Sequence, residues 1–135
     1  MTKQVIWVVA GVLVGPEDTL LMHQRPLEKH HGGLWEFPGG KVEDTEIPVK
    51  ALLRELREEL GIEALESACT PVGFAEDRDP VARSSIVILL YKIDAWQGDP
   101  QALEGGRVGW FTPEEIALLD KPPLDQELAA RLFAV

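Results

Sequence analysis

The sequence predicts a single domain of the α/β (α+β) class, and three observations lead to this prediction. Two long runs rich in β-branched residues, at 5–14 and 85–95, have the composition of buried strands. Between them, residues 48–60 repeat apolar side chains with the period of a helix. The chain has 135 residues, of which 45% are hydrophobic. That is enough for one core spanning residues 1–135.

Turn residues divide the chain into short elements. Six segments are predicted to be extended: 5–14, 19–25, 34–37, 72–75, 85–95 and 107–111. The Gly-Pro-Glu-Asp sequence at 15–18 has turn chemistry, so the first two strands are expected to form a hairpin. The charged segment 76–83 is expected to be a second hairpin loop. The Pro-Gly-Gly sequence at 38–40 is expected to form a bend that brings backbone carbonyls close to the first helix.

Three helices are predicted. The first has Pro48 in its first turn, with Asp44 or Thr45 as a candidate cap. The second begins at a capping-box sequence at 112–115, and the third covers residues 124–133. Helices and strands in this order predict a mixed fold.

The first helix has an apolar face and an acidic face. At about 100° per residue, five apolar side chains share one broad face: Val49, Leu52, Leu53, Leu56 and Leu60. Glu55, Glu58 and Glu59 share a neighbouring face, because they are spaced i, i+3 and i+4. Gly61 is suited to ending the helix.

The acidic face has two interpretations. Like charges at this spacing repel, and Mg²⁺ would relieve the repulsion while binding substrate phosphates through its remaining ligand positions. Alternatively, the glutamates form a solvated face paired with Arg54 and Lys50. Spacing alone leaves both open.

The surrounding residues resemble the signature of the Nudix hydrolases. That signature is Gly, five residues, Glu, seven residues, Arg-Glu, an aliphatic residue, any residue, Glu-Glu, any residue, Gly and an aliphatic residue. Every position is filled here, by Gly40, Glu46, Arg54, Glu55, Leu56, Glu58, Glu59, Gly61 and Ile62. The resemblance implies an α/β/α sandwich with a mixed β-sheet.

The resemblance also implies roles for residues of the motif. Glu55, Glu58 and Glu59 would bind the divalent metal and serve in catalysis, with Glu58 as a further ligand or possible base. A backbone carbonyl at the start of the motif, assigned to Gly39 with Gly40 beside it, would also bind metal. Glu46 and Arg54 would hold the loop against the helix and support the ligands.

The general base is expected in the loop at 96–106. Its Trp-Gln-Gly-Asp-Pro sequence resembles the Trp-x-Gly-acid-Pro segment of MutT-type members, in which the acidic residue approaches the metal-bound water. Asp99 is the matching position. Aspartate is one methylene shorter than the glutamate often found there, and Glu104 is an alternative. A turn role for Asp99 is also open.

The substrate is expected to contact Arg25, Phe37 and Asp125. Arg25 lies fifteen residues before Gly40, as in MutT-type sequences, and a guanidinium suits phosphate. Phe37 and the Pro-Pro-Leu-Asp sequence at 122–125 resemble the base pocket. MutT-like proteins have Asn or Asp at the position of Asp125. An ionised Asp125 only accepts hydrogen bonds, so the base stays open. Capping of the last helix is the structural alternative.

These observations favour a Mg²⁺-dependent nucleoside triphosphate pyrophosphohydrolase, with Mn²⁺ as a substitute ion. An oxidised dNTP such as 8-oxo-dGTP is the expected substrate, and nucleotide-pool sanitation is the expected role. The alternatives are hydrolysis of cytosine nucleotides or of another nucleoside diphosphate derivative, and a non-catalytic nucleotide-binding module. Such modules tend to lose motif glutamates, whereas this chain keeps all three.

Composition sets limits on partners. A net charge of −10 is unsuited to binding a nucleic acid polymer. Cys69 is the only cysteine, which excludes an intrachain disulfide. With no signal-peptide pattern and no membrane-length apolar run, a cytoplasmic monomer or homodimer without membrane contact is expected. His30 and His31 receive no role, and the four tryptophans are expected in the core or in pocket walls.

Overall fold

The computed structural model describes residues 4–133. Seven strands are present in this range: β1 Gln4–Leu13, β2 Leu20–Gln24, β3 Trp35–Glu36, β4 Gly39–Lys41, β5 Cys69–Glu76, β6 Ser84–Ile93 and β7 Arg107–Phe111. Three α-helices accompany them: α1 Pro48–Leu60, α2 Pro113–Leu118 and α3 Pro123–Leu132. Each predicted helix and strand is present, and β7 has the predicted bounds. No helix among the described residues has the length and apolar character needed to cross a membrane.

The strands form two sheets rather than one. A four-stranded sheet has the order β4-β1-β6-β5, in which β1 and β6 are parallel over ten residue pairs. A three-stranded antiparallel sheet has the order β3-β2-β7. The second predicted hairpin, β5 with β6, is confirmed as an antiparallel pair. Helices cover both faces of the assembly, which confirms the mixed α/β/α sandwich.

The predicted hairpin between β1 and β2 is wrong. These strands lie in different sheets; between them, Val14, just after β1, forms an isolated bridge with Leu20, and the Gly15 N–H donates to the Thr19 carbonyl. The ladder positions of β1 are taken by β6 along one edge and β4 along the other. The intervening turn also redirects the chain, since Glu17 and Asp18 have positive φ angles of 57° and 59°.

The core has two parts, one on each side of β1. Val9 and Leu13 face α1 and pack with Leu52, Leu56 and other buried residues of that helix. The alternate β1 residues face the other way, where Ala10 and Val12 join a cluster that includes side chains of α2 and α3. Alternation along one strand therefore serves both halves of the core. The amino-terminal half of β1 departs from the prediction of a fully buried strand: Trp7, predicted in a core or pocket wall, is 48% exposed.

The ends of the helices follow the predictions in part. Gly61 ends α1 in the left-handed conformation, with φ 72°. The predicted cap by Asp44 or Thr45 is wrong, because α1 begins at Pro48 after Ile47, and no side chain caps it. The capping box of α2 is confirmed: the side chain of Thr112 accepts from the backbone N–H of Glu115, 3.2 Å away, and the Glu115 carboxylate accepts from the N–H of Thr112.

Candidate active site

The three motif glutamates occupy different environments on α1. Glu59 is buried, at 9% exposure. Glu55 is partly buried and the side chain of Glu58 is half exposed. The helix inserts Glu59 beside the apolar face because Leu56 and Leu60, its neighbours in the helix, are fully buried. The sequence placed the three together on one face, whereas burial in the structure separates them.

Arg54 connects the motif loop to two of these carboxylates. Its Nε and Nη2 donate to the two oxygens of Glu46 at 2.7 and 2.9 Å, and Nη2 also donates to the Lys41 carbonyl at 3.0 Å. Its Nη1 donates to Glu55 at 2.9 Å and to Glu58 at 3.1 Å. The guanidinium holds the pKa of Glu46 down, at about 2. Arg54 thus joins the loop before α1 to the acidic face of the helix.

These contacts bear on the solvated-face interpretation. Arg54 does pair with Glu58 one turn away, as that interpretation expects. Lys50 does not join the cluster, because its Nζ lies 2.8 Å from the Glu66 carboxylate. Glu59 forms no salt bridge with a lysine or arginine among the described residues, and its Oε1 is buried without a hydrogen-bond partner there. A buried, unpaired carboxylate oxygen is unsuited to a merely solvated face.

Burial governs the protonation of Glu59. It raises the pKa of Glu59 from 4.5 to about 8; the charges of Glu36, Glu55 and Glu104 add to this, and His23 opposes it. Burial also raises the pKa of Glu55, although Arg54 opposes that change. A divalent cation bound here would reverse both effects, since it favours the ionised carboxylates.

Two glycines bring the backbone of β4 against this site and against β1. A Cβ built on Gly40 would lie 2.4 Å from the Glu55 carboxyl carbon, so only glycine lets the strand approach that side chain. A Cβ on Gly39 would instead lie 1.9 Å from the Val9 carbonyl oxygen. The predicted bend is present at Pro38, and Gly39 and Gly40 after it are strand residues paired with β1, without positive φ. The predicted close approach is present at Gly40.

The donor set fits a hard divalent cation. Glu55 and Glu59 supply carboxylate oxygens, which are ligands that Mg²⁺ prefers, and the backbone of Gly40 lies beside Glu55. Among residues 4–133, no three acidic, histidine or cysteine side chains are already arranged around one metal position. The carboxylates of Glu55 and Glu58 are both paired with Arg54. The set of three carboxylate ligands stays a prediction.

The metal-free protein is expected to lose stability as the pH rises. The folded chain keeps a proton on Glu59 up to about pH 8, whereas the unfolded chain releases it near pH 4.5. The unfolding free energy therefore falls across this interval. The glutamine in Glu59→Gln is neutral at every pH, so this variant lacks the contribution of Glu59 to the pH dependence of the unfolding free energy. Melting temperatures in EDTA from about pH 5 to about pH 8 should fall less for this variant than for wild type.

The matched control for this experiment is Glu63→Gln. Glu63 is an exposed carboxylate just beyond α1, paired at 3.7 Å with Arg57. This variant should follow the wild-type pH dependence. Parallel curves for wild type and Glu59→Gln would show that burial of Glu59 does not have the stated effect.

The loop at 96–106 brings Glu104 to the acidic cluster. The charge of Glu104 raises the pKa of both Glu55 and Glu59. The neighbouring residue Leu103 donates its N–H to the Glu59 carbonyl at 3.0 Å. Asp99 is exposed and follows Gly98, which packs beyond the end of α1. Glu104 is thus the loop carboxylate that the structure links to the site, and the role of Asp99 stays a prediction.

A separate cavity of about 340 Å³ lies beside β1, β6 and the start of α3, within the size range of small-ligand sites. Its walls combine apolar and charged side chains: Val8, Arg25, His31, Glu36, Asp77, Ile86, Ile88, Pro122, Pro123, Leu124 and Asp125. Arg25 and Asp125, both predicted to contact substrate, are in this wall. A larger groove of about 680 Å³ between α2 and α3 contains no predicted site residue.

Asp125 lies in the cavity wall rather than at a helix cap. Pro122 is the cap residue of α3, and no side chain caps it. The Asp125 carboxylate is buried and accepts the Phe37 N–H at 3.0 Å. Burial raises the pKa of Asp125 to about 7, with a contribution from the charge of Glu36, while the Phe37 N–H and Arg25 oppose the shift. At neutral pH the acid and the carboxylate are both populated.

The predicted contact between the Phe37 ring and substrate does not fit this arrangement. The side chain of Phe37 is 3% exposed and packs in the core with Met22 and Leu128. Strand alternation turns Glu36 toward the cavity and Phe37 away from it. Phe37 contributes its backbone N–H, which orients Asp125.

Three residues of this region were not predicted from sequence. Glu36 accepts from Arg25 Nε at 3.1 Å, and His31 lines the cavity. His23, at 6% exposure, lies with its Nδ1 4.0 Å from Glu36. A signal was present: His23 is a polar residue that follows the apolar residues 20–22, and β2–β3 pairing places it opposite Glu36.

Comparison with known proteins agrees with this geometry. Residues 6–132 match the NUDIX domain family. The chain therefore belongs to the NUDIX domain family. An 8-oxo-dGTP diphosphatase of Proteus vulgaris is 38% identical over 110 residues, covering 81% of this chain and 95% of that protein. A CTP pyrophosphohydrolase of Escherichia coli K12 is 36% identical over 127 residues, covering 94% and 91%.

Within the family, the similarity is to hydrolases of the MutT type. A MutT structure from work on Aliivibrio salmonicida and Vibrio cholerae superimposes with a TM-score of 0.81 at 30% identity. The match covers 97% of this chain and 98% of that one. The likeness thus extends beyond the motif to the strands and helices that form the cavity.

Proposed function

We propose that this protein is a Mg²⁺-dependent nucleoside triphosphate pyrophosphohydrolase that converts an oxidised dNTP or NTP, such as 8-oxo-dGTP, to the monophosphate and pyrophosphate. The observation that carries the proposal is the pair Glu55 and Glu59. Both carboxylates are withdrawn from solvent, Glu55 lies beside the close approach of Gly40, and one Glu59 oxygen has no hydrogen-bond partner within residues 4–133. A metal bound to a triphosphate would complete that arrangement.

Hydrolysis of the triphosphate requires charge screening, an oriented water and a proton acceptor. Glu55, Glu59, a reoriented Glu58 and a carbonyl of Gly39 or Gly40 would hold the metal. When bound, the metal screens phosphate charge and lowers the pKa of its water. Side chains of the protein would accept the proton of the attacking water and position the nucleotide.

Proton acceptance falls to the loop at 96–106. Glu104 is our preferred acceptor because the neighbouring Leu103 is hydrogen-bonded to the Glu59 backbone at 3.0 Å and the charge of Glu104 acts on both Glu55 and Glu59; Asp99 is the alternative. Arg25 is held by Glu36 and faces the cavity, where it would contact the nucleotide. Arg54 and Glu46 keep the loop before α1 in register with the glutamates.

Asp125 is proposed to select the base. With a pKa of about 7, its carboxyl group donates a hydrogen bond when neutral and only accepts when ionised. The neutral form suits O6 of a guanine, and the ionised form suits N1–H or an exocyclic amino group. Near neutral pH, Asp125 can therefore bind both donor and acceptor groups of a base, whereas an exposed aspartate would be ionised and would bind donors alone.

Replacement of Asp125 is expected to change base selectivity more than it slows the chemistry. Asp125→Ala should reduce the kcat/KM ratio between the preferred and the competing nucleotide by roughly 10-fold, since a lost hydrogen bond in a buried pocket leaves its partner unsatisfied. The amide in Asp125→Asn both donates and accepts hydrogen bonds. If the preferred base is a guanine, this variant should keep a higher kcat/KM ratio than Asp125→Ala. Unchanged selectivity in Asp125→Ala would remove this residue from base recognition.

A cytosine nucleotide is the second candidate substrate, favoured by the similarity to the CTP pyrophosphohydrolase. Ionised Asp125 would accept from the cytosine amino group. The deciding experiment is a pyrophosphate-release screen of common, oxidised and methylated nucleoside triphosphates with Mg²⁺ or Mn²⁺. Preference for 8-oxo-dGTP supports the main proposal, and preference for CTP or dCTP supports the second. Tight binding without turnover would indicate a non-catalytic module.

Nucleotide-pool sanitation in the cytoplasm is the physiological role that we propose, since an oxidised dNTP is a minor component to be removed before polymerisation. The acidic surface supports a free nucleotide over a nucleic acid polymer as partner. Light scattering would establish whether the protein is a monomer or a homodimer.

A further inference from the structure

His23 links β2 to the loop that carries Glu104. It lies in β2, follows the buried residues Leu21 and Met22, and is itself 6% exposed. Its Nε2 is 3.0 Å from the carbonyl oxygen of Gly105. A carbonyl only accepts, so Nε2 carries the hydrogen and donates.

The loop is held on both sides of Glu104. On one side, Leu103 donates its N–H to the Glu59 carbonyl at 3.0 Å. On the other side, Gly105 accepts from His23. Glu104 itself is exposed. Besides the local hydrogen bonds within the loop, the residues on either side of Glu104 are therefore tied to the motif helix and to the imidazole.

Two glycines after Glu104 allow the loop to approach the end of β2 closely. Gly105 and Gly106 have φ angles of 96° and 79°, which side chains rarely adopt. A Cβ on Gly106 would lie 2.0 Å from the Gln24 carbonyl oxygen and 3.2 Å from His23 Nε2. The loop end thus rests directly on the end of β2.

The other nitrogen of His23 indicates that the imidazole serves more than packing. Nδ1 is buried, lacks a hydrogen-bond partner among the described residues, and lies 4.0 Å from Glu36. A half-satisfied imidazole in an apolar strand costs stability relative to an aliphatic side chain. This loss of stability is explained if the hydrogen bond from His23 to the Gly105 carbonyl is needed for activity.

We propose that His23 is a positioning residue, which holds Glu104 beside Glu55 and Glu59 by donating a hydrogen bond to the Gly105 carbonyl. This inference rests on the proposed function, in which Glu104 accepts the proton of the attacking water. It adds a residue of β2, outside the motif and outside the loop, to the groups on which turnover depends.

Steady-state kinetics of four variants tests the proposal. His23→Leu removes the donor and should lower kcat by at least about 10-fold with little change in KM, because small misplacements of a reacting group are costly. His23→Gln retains an N–H at a similar reach and should restore kcat to within about threefold of wild type. Glu104→Gln should lower kcat by a similar or larger factor.

The double variant His23→Leu/Glu104→Gln decides whether His23 acts through Glu104. It should be no slower than Glu104→Gln alone, since the positioned carboxylate is already absent. An equal further loss in the double variant would show that His23 acts by another route, such as through Glu59, and would overturn the proposal. So would wild-type kcat in His23→Leu or in Glu104→Gln.

Amide hydrogen exchange without nucleotide provides a readout that is independent of activity. Exchange at Leu103, Gly105 and Gly106 should be faster in His23→Leu than in wild type, and close to wild type in His23→Gln. Unchanged exchange in a folded His23→Leu variant would show that the hydrogen bond from His23 to Gly105 does not hold the loop. If the wild-type protein turned over no nucleoside triphosphate, the proposed function would be overturned instead. The exchange rates would still show whether His23 holds the loop.

Discussion

Glu59→Gln is expected to abolish turnover while the protein stays folded. The amide retains the shape of the neutral acid that burial favours at Glu59, where the pKa is about 8. It removes the ionised oxygens that a divalent cation requires. A catalytic metal is worth several kcal/mol of transition-state stabilisation, so kcat should fall on the order of 1,000-fold.

Glu55→Gln should behave similarly, and Glu63→Gln is the control for both. Glu63 is exposed and lies outside the site, so its variant should keep wild-type kcat and KM. Circular dichroism and melting temperature should establish that each variant is folded, and isothermal titration with Mg²⁺ should show weaker binding in the two site variants. Substantial turnover in both site variants would refute the metal assignment.

The adjacent glycines of β4 are expected to give opposite phenotypes. In Gly39→Ala the new Cβ meets backbone atoms of β1, 1.9 Å from the Val9 oxygen and 2.7 Å from the Ala10 Cα. Backbone cannot yield without breaking the ladder. The variant should therefore lose about 3 kcal/mol or more of unfolding free energy.

In Gly40→Ala the new Cβ meets only the end of the Glu55 side chain, which can swing away. Stability should change little, but the displaced carboxylate should reduce kcat by about 100-fold. Urea unfolding and steady-state kinetics separate the two phenotypes, and each variant is the control for the other. Two equally unstable variants, or a fully active Gly40→Ala, would contradict the assignment of Gly40 to the site.

Several features were predicted from the sequence because they depend on neighbours along the chain. The period of residues 48–60 predicted α1, and the left-handed stop at Gly61 followed from glycine's tolerance of positive φ. The capping box of α2 is likewise a local exchange of hydrogen bonds. The family followed from the complete motif.

Other predictions failed for two different reasons. The β1–β2 hairpin has good turn chemistry, yet β6 and β4 take the edges of β1. Here a tertiary interaction replaced a local one that was reasonable by itself. The cap of α1 failed for a local reason: Pro48 begins the helix, so Ile47 stands at the cap position and Asp44 and Thr45 lie before it.

The sequence by itself determined the class of the fold, the acidic helix and the family, since these are encoded by spacing along one segment. The tertiary structure alone decided which groups share an environment. It buried Glu59 and Asp125, turned Phe37 into the core, and hydrogen-bonded the residues on either side of Glu104 to the Glu59 carbonyl and to His23. The physical reason is that burial and proximity depend on the packing of segments far apart in the chain, and these set the charge of a carboxyl group and its partners.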